Sequence, residues 1–202
     1  MMIVCIDYGA GNVQSIGNGF KKIGVETILS SNPKDFKDAD ALVLPGVGNF
    51  GSAMEKLFPM KPAILEFVDS GKPFLGVCLG IQVIFESSAE APGVAGLGLL
   101  KGSCEKFDST KMKVPQMGWN TLKIAKENPL LEGISEGDFF YFVHSYYPKP
   151  KNKDVVVAET EYGLEFPAVV VKDNVFATQF HPEKSAEKGL RILENFVGIV
   201  KK

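Results

Sequence analysis

The sequence predicts an α/β fold with a central, mostly parallel sheet flanked by helices. In the first half, continuous apolar runs alternate with amphipathic stretches, which is typical of buried parallel strands joined by helices. In the second half, short alternating segments separated by turns predict an antiparallel or mixed extension of that sheet. There is no internal repeat, linker or low-complexity segment, so residues 1–202 are predicted to form one domain.

The individual elements follow from hydrophobic periodicity and from the turn residues between them. In the first half, strands are predicted at Ile3–Ile6, Thr27–Leu29, Ala41–Leu44 and Pro73–Val77, and helices at Val13–Ile23, Ala53–Asp69 and Leu79–Glu86. In the second half, strands are predicted at Cys104–Phe107, Gly118–Ile124, Phe139–Tyr146, Val155–Thr160, Ala168–Val171 and Val175–Phe180. A final helix is predicted from about Ser185 to Val200.

Composition and charge exclude several classes of protein. A formal net charge of −2 gives no electrostatic basis for binding nucleic acid or an anionic membrane. No apolar run approaches the ~20 residues of a membrane helix, and the first residues lack the basic flank of a signal sequence. Three scattered cysteines predict neither a disulfide framework nor a metal site. We therefore expect a cytoplasmic protein with free thiols, no metal and no cofactor.

The segment Gly76-Val77-Cys78-Leu79-Gly80 has the form of a nucleophile elbow with sulfur in place of oxygen. In such an elbow the nucleophile lies on a strained turn between a strand and a helix, and glycines flank it because side chains would collide with the backbone. The start of the helix stabilises a thiolate, and the amide of Leu79 points towards a developing oxyanion. The alternative is a buried structural cysteine, which is how we interpret Cys5 and Cys104.

His144 and His181 are the only two histidines, and therefore the candidates for a general base. His181 precedes a proline and should be extended, so that Glu183, two residues later, lies on the same face. A carboxylate in that place can hold the imidazole in one tautomer and stabilise the imidazolium. His144 has no carboxylate close in sequence and is the second candidate. The structural alternative is a surface loop for His181 and a core histidine for His144.

The glycine-rich segment Pro45-Gly46-Val47-Gly48 follows a predicted strand and has three possible uses. Backbone amides in such loops bind phosphate, but this segment lacks the Lys-Ser/Thr of a P-loop and the third glycine of a dinucleotide site. The amides could instead form an oxyanion hole with that of Leu79, or the segment could be an ordinary turn. The sequence leaves these possibilities open.

Taken together, the motifs resemble a known family. The elbow with Gln82, followed by Phe180-His181-Pro182-Glu183, resembles the class I (triad) glutamine amidotransferases, which have a flavodoxin-like fold. Other segments resemble the glutaminase subunits of imidazole glycerol phosphate synthases, and they occur in the same order over nearly the whole chain. These segments are Asp7–Asn12, Pro45–Gly48, Met117–Asn120, Tyr141–Tyr146 and His181–Ser185.

The resemblance implies hydrolysis of glutamine to glutamate and ammonia through a glutamyl thioester. Cys78 would attack the side-chain carboxamide, His181 would transfer protons, and Glu183 would orient His181. Val47 and Leu79 would supply the oxyanion amides, after a peptide rearrangement of the loop around Val47. The positions that match glutamine-binding residues of the family are Gly48, Gln82, Ser145 and Tyr146.

A partner subunit is also expected. A glutaminase of this type occupies the whole chain, and ammonia released into water would be protonated and lost to chemistry. The ammonia acceptor should therefore bind to another polypeptide. By resemblance, that partner is a (βα)₈-barrel cyclase in a heterodimer that serves histidine biosynthesis. The positions that match the interface with it are Asn12, Trp119, Tyr141 and Lys184.

Three other functions fit parts of the pattern. A glutaminase of the pyridoxal phosphate synthase or anthranilate synthase type would share the triad but not the Met117–Asn120 and Phe142–Tyr146 segments. A cysteine peptidase or stress-response protein on a similar fold would share the elbow, without needing Gln82 together with the His-Pro-Glu sequence. A binding module that has lost its chemistry would be expected to lack at least one member of the triad.

Overall fold

The computed structural model of the chain describes residues 1–9 and 12–202. Ala10 and Gly11, which belong to the Asp7–Asn12 segment, lie outside the described residues. The first half contains the strands β1 (Ile3–Ile6), β2 (Thr27–Ser30), β3 (Ala41–Gly46) and β4 (Phe74–Cys78). Its helices are α1 (Val13–Lys22), α2 (Pro33–Asp38), α3 (Phe50–Leu57), α4 (Lys61–Asp69) and α5 (Leu79–Val83).

The second half is built mainly of strands. They are β5 (Ser87–Ser88), β6 (Gly102–Lys106), β7 (Gln116–Thr121), β8 (Lys123–Ile124), β9 (Phe139–His144), β10 (Tyr146–Pro150), β11 (Val156–Glu161), β12 (Glu165–Lys172) and β13 (Val175–Thr178). Short 3₁₀ turns lie at Phe58–Met60, Pro129–Leu131, Lys153–Val155 and Pro182–Lys184, and helix α6 covers Ala186–Val200. No helix among the described residues combines the length and apolar character needed to cross a membrane.

The main sheet has eight strands in the order β2-β1-β3-β4-β13-β12-β11-β8. Strands β2, β1, β3, β4 and β13 pair in parallel, whereas β12, β11 and β8 continue the sheet in antiparallel pairings. The predicted α/β fold with a mixed extension is therefore confirmed. Two smaller sheets, β10-β6-β5 and the antiparallel pair β7-β9, lie outside the main sheet.

The core lies on both faces of the main sheet. Alternate residues of β1 belong to opposite core clusters, Cys5 on the face covered by α1 and α6 and Val4 on the face covered by α3 and α4. Phe20 and Phe196 are fully buried on the first face, and Ile64 is fully buried on the second. Burial of each such side chain contributes roughly 1.5–3 kcal/mol to the stability of the folded state. This burial explains the continuous apolar runs of the central strands.

Two predicted helices differ from the structure, and one further helix was not predicted. The helix predicted at Ala53–Asp69 is two helices, α3 and α4, because Pro59 and Pro62 lack the amide hydrogens that a continuous helix needs. Helix α5 ends at Val83 rather than at Glu86, because the Val83 carbonyl accepts a hydrogen bond from the Leu97 amide. Helix α2 was not predicted, although Asn32 caps it with a side-chain hydrogen bond and a proline begins it.

Two predicted strands each divide between different sheets. Gly118–Ile124 becomes β7 and β8, and Phe139–Tyr146 becomes β9 and β10, with a break at Ser145. Strand β9 pairs with β7, whereas β10 pairs with β6. An alternating pattern predicts an extended segment but not the strand with which it pairs. At this break Ser145 and Tyr146 line the same cavity as Cys78, the last residue of β4.

Candidate active site

Cys78 lies where β4 ends and α5 begins, at the carboxyl edge of the parallel strands, which is where α/β sheets bind ligands. Its backbone has φ 57° and ψ −105°, a strained conformation that is uncommon for a residue with a side chain. A Cβ atom on Gly76 would lie 2.9 Å from the backbone of Gly80, and one on Gly80 would overlap the Leu44 carbonyl of β3. Both glycines are therefore required for the turn.

His181 and Glu183 form a buried pair beside Cys78. His181 is extended, as the following proline predicts, but the expectation that the segment remains extended to Glu183 was wrong. A 3₁₀ turn at Pro182–Lys184 instead brings Oε1 of Glu183 to 2.8 Å from Nδ1 of His181. A tight turn starting at proline needs no amide hydrogen there, so the turn is compatible with the same residues. The pair forms by a different local geometry from the one predicted.

Asn12 contacts this pair, which the sequence did not indicate. Its Nδ2 donates a hydrogen bond to Oε1 of Glu183 at 2.8 Å and lies 3.5 Å from Nδ1 of His181. Since Nδ1 also donates to the carboxylate, Asn12 and His181 are both donors to Glu183 and do not bond to each other. Asn12, which matches an interface position of the family, is therefore also placed to hold the carboxylate.

Hydrogen bonds hold the segment that carries His181 against β9. The His181 amide donates to the Tyr141 carbonyl at 2.9 Å, and the Tyr141 amide donates to Oγ of Ser185 at 2.9 Å. The Ser185 hydroxyl in turn donates to the His181 carbonyl at 2.6 Å. These three bonds fix the position of the imidazole relative to the sheet.

The charges in the cluster favour a protonated His181. Burial acts to lower the pKa of His181, but its interactions with Cys78 and then Glu183 outweigh burial and raise the pKa to about 9. Burial acts to raise the pKa of Glu183, but its hydrogen bond to His181 holds that pKa below the ordinary value. Nε2 of His181 is buried and has no hydrogen-bond partner in the described part of the chain, which leaves it available towards Cys78.

The raised pKa of His181 predicts a loss of stability in alkaline solution. The pKa is about 9 in the folded chain and about 6.5 when unfolded, so the stabilisation is complete below pH 6.5 and is lost as the pH rises through 9. We expect the free energy of unfolding to fall by up to about 3 kcal/mol over this range. The fall in the free energy of unfolding can be measured by urea unfolding of wild type and of Glu183→Gln at a series of pH values. The variant should lose less stability, and equal losses would contradict the prediction.

A cavity of about 280 Å³ opens next to Cys78. It is lined by the residues expected to bind glutamine or its oxyanion, which are Val47, Gly48, Leu79, Gln82, Ser145 and Tyr146. Glu90, Pro115, Val143 and His144 also line it and were not predicted to bind glutamine. Glu90 adds a carboxylate whose Oε2 accepts a hydrogen bond from the Phe50 amide at 2.7 Å. No sequence motif surrounds Glu90, so only its position in the fold identifies it.

Gln82 connects the helix that follows Cys78 with two other parts of the site. Its Nε2 donates to the Tyr146 carbonyl at 2.9 Å and to Oε1 of Gln179 at 3.2 Å. Tyr146 lines the cavity, and Gln179 lies two residues before His181. Gln82 is almost fully buried, so its amide has little access to solvent. It therefore holds the cavity wall in place as well as lining the cavity.

His144, the second candidate for a base, is in a different environment. Its Nδ1 donates to the Tyr146 carbonyl at 2.8 Å, and its ring packs against Phe107 and Phe166. Burial, opposed by the hydrogen bond to Tyr146, lowers the pKa of His144 to about 4. No carboxylate among the described residues bonds to it. His144 is therefore a neutral residue that supports the β9–β10 corner.

An exposed apolar face lies on the sheet of β7 and β9. Met117, Trp119 and Phe139 are 65%, 52% and 58% exposed, and the Trp119 ring packs edge-on against Tyr141 at 6.0 Å between centroids. Trp119 pairs directly with Tyr141 across the strands. Lys184 is also exposed, and Asn12 is partly buried. Met117 and Phe139 share this face with Trp119 and Tyr141, and the alternation of these residues along the two strands was the available sequence signal.

The fold and this site define a class of protein. The model of the family described as "Glutamine amidotransferase class-I" matches residues 4–199, so the chain belongs to that family. It is 54% identical over 200 residues to the "Imidazole glycerol phosphate synthase subunit HisH" of Methanothermobacter thermautotrophicus, covering 99% of this chain and 100% of the relative. It is 52% identical over 199 residues to the HisH subunit of Methanocaldococcus jannaschii, covering 98% and 100%.

Solved structures support the fold. A structure described as a glutamine amidotransferase has a TM-score of 0.78 at 19% identity and covers 98% of this chain and 99% of its own. The structure of PurLQS from Thermotoga maritima has a TM-score of 0.75 at 17% identity, covering 98% of this chain and 98% of its own. At these identities, the likeness concerns the fold alone.

Proposed function

We propose that this chain is the glutaminase subunit of an imidazole glycerol phosphate synthase, which hydrolyses glutamine and supplies ammonia for histidine biosynthesis. The observation that carries the proposal is that Cys78 lines a cavity of about 280 Å³ and also interacts with His181. The near-complete coverage of HisH relatives at about half identity supports the assignment to this synthase.

The proposed reaction has two stages. The thiol proton of Cys78 passes to Nε2 of His181, as the raised pKa of His181 favours, and the sulfur then attacks the carboxamide carbon of glutamine. When the tetrahedral intermediate collapses, the carbon–nitrogen bond breaks and His181 returns the proton to the departing ammonia. Water then attacks the thioester carbon, again with His181 as base. The carbon–sulfur bond breaks, His181 returns the proton to the Cys78 sulfur, and glutamate leaves. Glu183 keeps Nδ1 protonated throughout, so that Nε2 carries the exchanging proton.

The cavity supplies groups for both the reacting and the distant end of glutamine. The amides of Val47 and Leu79 would donate to the oxyanion, and that of Leu79 lies at the start of α5. At the other end, the Glu90 carboxylate suits the α-ammonium group of an amino acid. Gly48, Gln82, Ser145 and Tyr146 complete the proposed binding site.

The partner would cover the apolar face of β7 and β9. Exposed aromatic and methionine side chains are typical of the buried centre of protein interfaces, and Met117, Trp119 and Phe139 meet that description. Asn12 and Tyr141 connect this side of the molecule with His181 and Glu183. We assign this face to a (βα)₈-barrel cyclase subunit in a heterodimer, which would receive the ammonia.

Ammonia release from glutamine tests the function directly. The chain would be assayed alone, with the barrel cyclase from the same source, and with the cyclase and an analogue of its acceptor substrate. We expect substantial hydrolysis only in the mixtures. Equal hydrolysis without the cyclase would favour another class I glutaminase. No hydrolysis by folded protein in any mixture would contradict the glutaminase function.

Trp119→Ala tests the docking face. Truncation of a central aromatic side chain commonly weakens an interface by at least about 2 kcal/mol, so the dissociation constant for the cyclase should rise roughly 30-fold. Phe58→Ala is the matched control, because Phe58 is 74% exposed but lies outside the β7–β9 sheet. Titration calorimetry should show the loss only for Trp119→Ala. If Trp119→Ala binds the cyclase as tightly as wild type does, the cyclase binds elsewhere.

A further inference from the structure

The hydroxyl group of Tyr8 is a buried polar group that the proposed mechanism does not use. Tyr8 lies just after β1 and is 5% exposed, and its hydroxyl oxygen has no hydrogen-bond partner among residues 1–9 and 12–202. Leaving such a group unpaired is unfavourable, whereas a phenyl ring of the same shape would avoid that penalty. This points to a use of the hydroxyl in another state of the site.

Tyr8 lies directly behind the loop that carries Val47. A Cβ atom on Gly46 would overlap the Tyr8 hydroxyl oxygen, so this oxygen packs against the main chain of Gly46. The same Cβ would lie 3.0 Å from Cβ of Leu79. Glycine at position 46 therefore allows the hydroxyl to approach the backbone next to the proposed oxyanion site.

Val47 and Gly48 line two cavities at once. One is the candidate glutamine cavity, and the other, of about 250 Å³, is lined by Tyr8 and Lys56. A peptide group is planar, and its N–H and C=O point in opposite directions. When an amide of this loop faces the glutamine cavity, its carbonyl therefore faces the side on which Tyr8 lies.

We propose that Tyr8 is a positioning residue whose hydroxyl donates a hydrogen bond to the Gly46 carbonyl when the Val47 amide turns towards the oxyanion. The proposal rests on the proposed glutaminase function. The Gly46 carbonyl and the Val47 amide belong to one peptide group, so a bond to the carbonyl fixes the direction of the amide. Burial, and then the nearby Cys78, raises the pKa of Tyr8, so the hydroxyl keeps the proton that it donates.

Tyr8→Phe removes the hydroxyl and keeps the ring. In the complex with the cyclase and its acceptor analogue, we expect kcat for glutamine hydrolysis to fall about 10-fold, as for the loss of one hydrogen bond, with KM within about twofold. The urea midpoint of the variant should equal or exceed that of wild type, because an unpaired buried hydroxyl is removed. A purely structural role would lower the midpoint and leave kcat unchanged, and that result overturns the proposal.

Tyr162→Phe is the matched control. It removes a hydroxyl that donates to the Lys113 carbonyl at 2.7 Å, outside the site, and kcat should not change. Alkylation of Cys78 by iodoacetamide requires the thiolate but no oxyanion hole, so its rate should be equal in Tyr8→Phe and wild type. Slower alkylation of the variant would place the effect on Cys78 and overturn the proposal. If the wild-type complex hydrolyses no glutamine, the proposed function fails, and this proposal with it.

Discussion

Cys78→Ala is expected to lower the rate of glutamine hydrolysis by at least about 10⁴-fold in the complex with the cyclase. Without the sulfur no thioester can form, and removal of the nucleophile of a catalytic triad costs about 10⁶-fold in a comparable hydrolase. Ammonia release and burst-phase formation of the acyl-enzyme would both be measured. Glutamine binding should persist, since the other residues that line the cavity remain.

Cys5→Ala is the control for this substitution. Cys5 lies in β1, and burial, partly offset by a hydrogen bond to Thr27, raises its pKa to about 12, so it remains a thiol. We expect this variant to lose about 1 kcal/mol of stability from the lost packing and to keep kcat within about twofold. Activity that survives in Cys78→Ala, or disappears in Cys5→Ala, would contradict the assignment of the nucleophile.

The elbow and the parallel half of the sheet could be predicted because their physical causes are local. Buried parallel strands require unbroken apolar runs, and the turn at Cys78 requires glycine on both sides because backbone lies within contact distance. These constraints can be read from a few neighbouring residues. The same holds for the extended backbone of His181, which the ring of Pro182 imposes.

The rest of the site depends on contacts between residues distant in the chain. Asn12 and Glu183 are 171 positions apart, and their hydrogen bond depends on how β1 and the segment after β13 meet at one edge of the sheet. Glu90 enters the cavity through a loop whose path no periodicity describes. The Tyr8 hydroxyl, which has no partner among residues 1–9 and 12–202, packs against Gly46, a contact between positions 38 residues apart that no local pattern describes.

Glu183→Gln is expected to lower kcat by roughly 10²–10⁴-fold and to have little effect on KM. In serine proteases the comparable carboxylate-to-amide change costs about 10⁴-fold, largely because the histidine adopts the wrong tautomer. Here one oxygen, Oε1, accepts from both His181 and Asn12, so the substituted amide can still accept both bonds through its single oxygen. The substitution then removes only the negative charge that stabilises the imidazolium. We therefore expect a fall in kcat in the lower part of this range.

The amide nitrogen of this variant would occupy the position of Oε2, which is buried and has no partner among the described residues. The unpaired group should lower stability by about 1–3 kcal/mol, which urea unfolding separates from the effect on kcat. Glu187→Gln is the matched control, since Glu187 is an exposed acid in the first turn of α6. If Glu183→Gln retains wild-type kcat, His181 needs no charged partner. If it falls by the full 10⁴-fold, the tautomer rather than the charge limits catalysis.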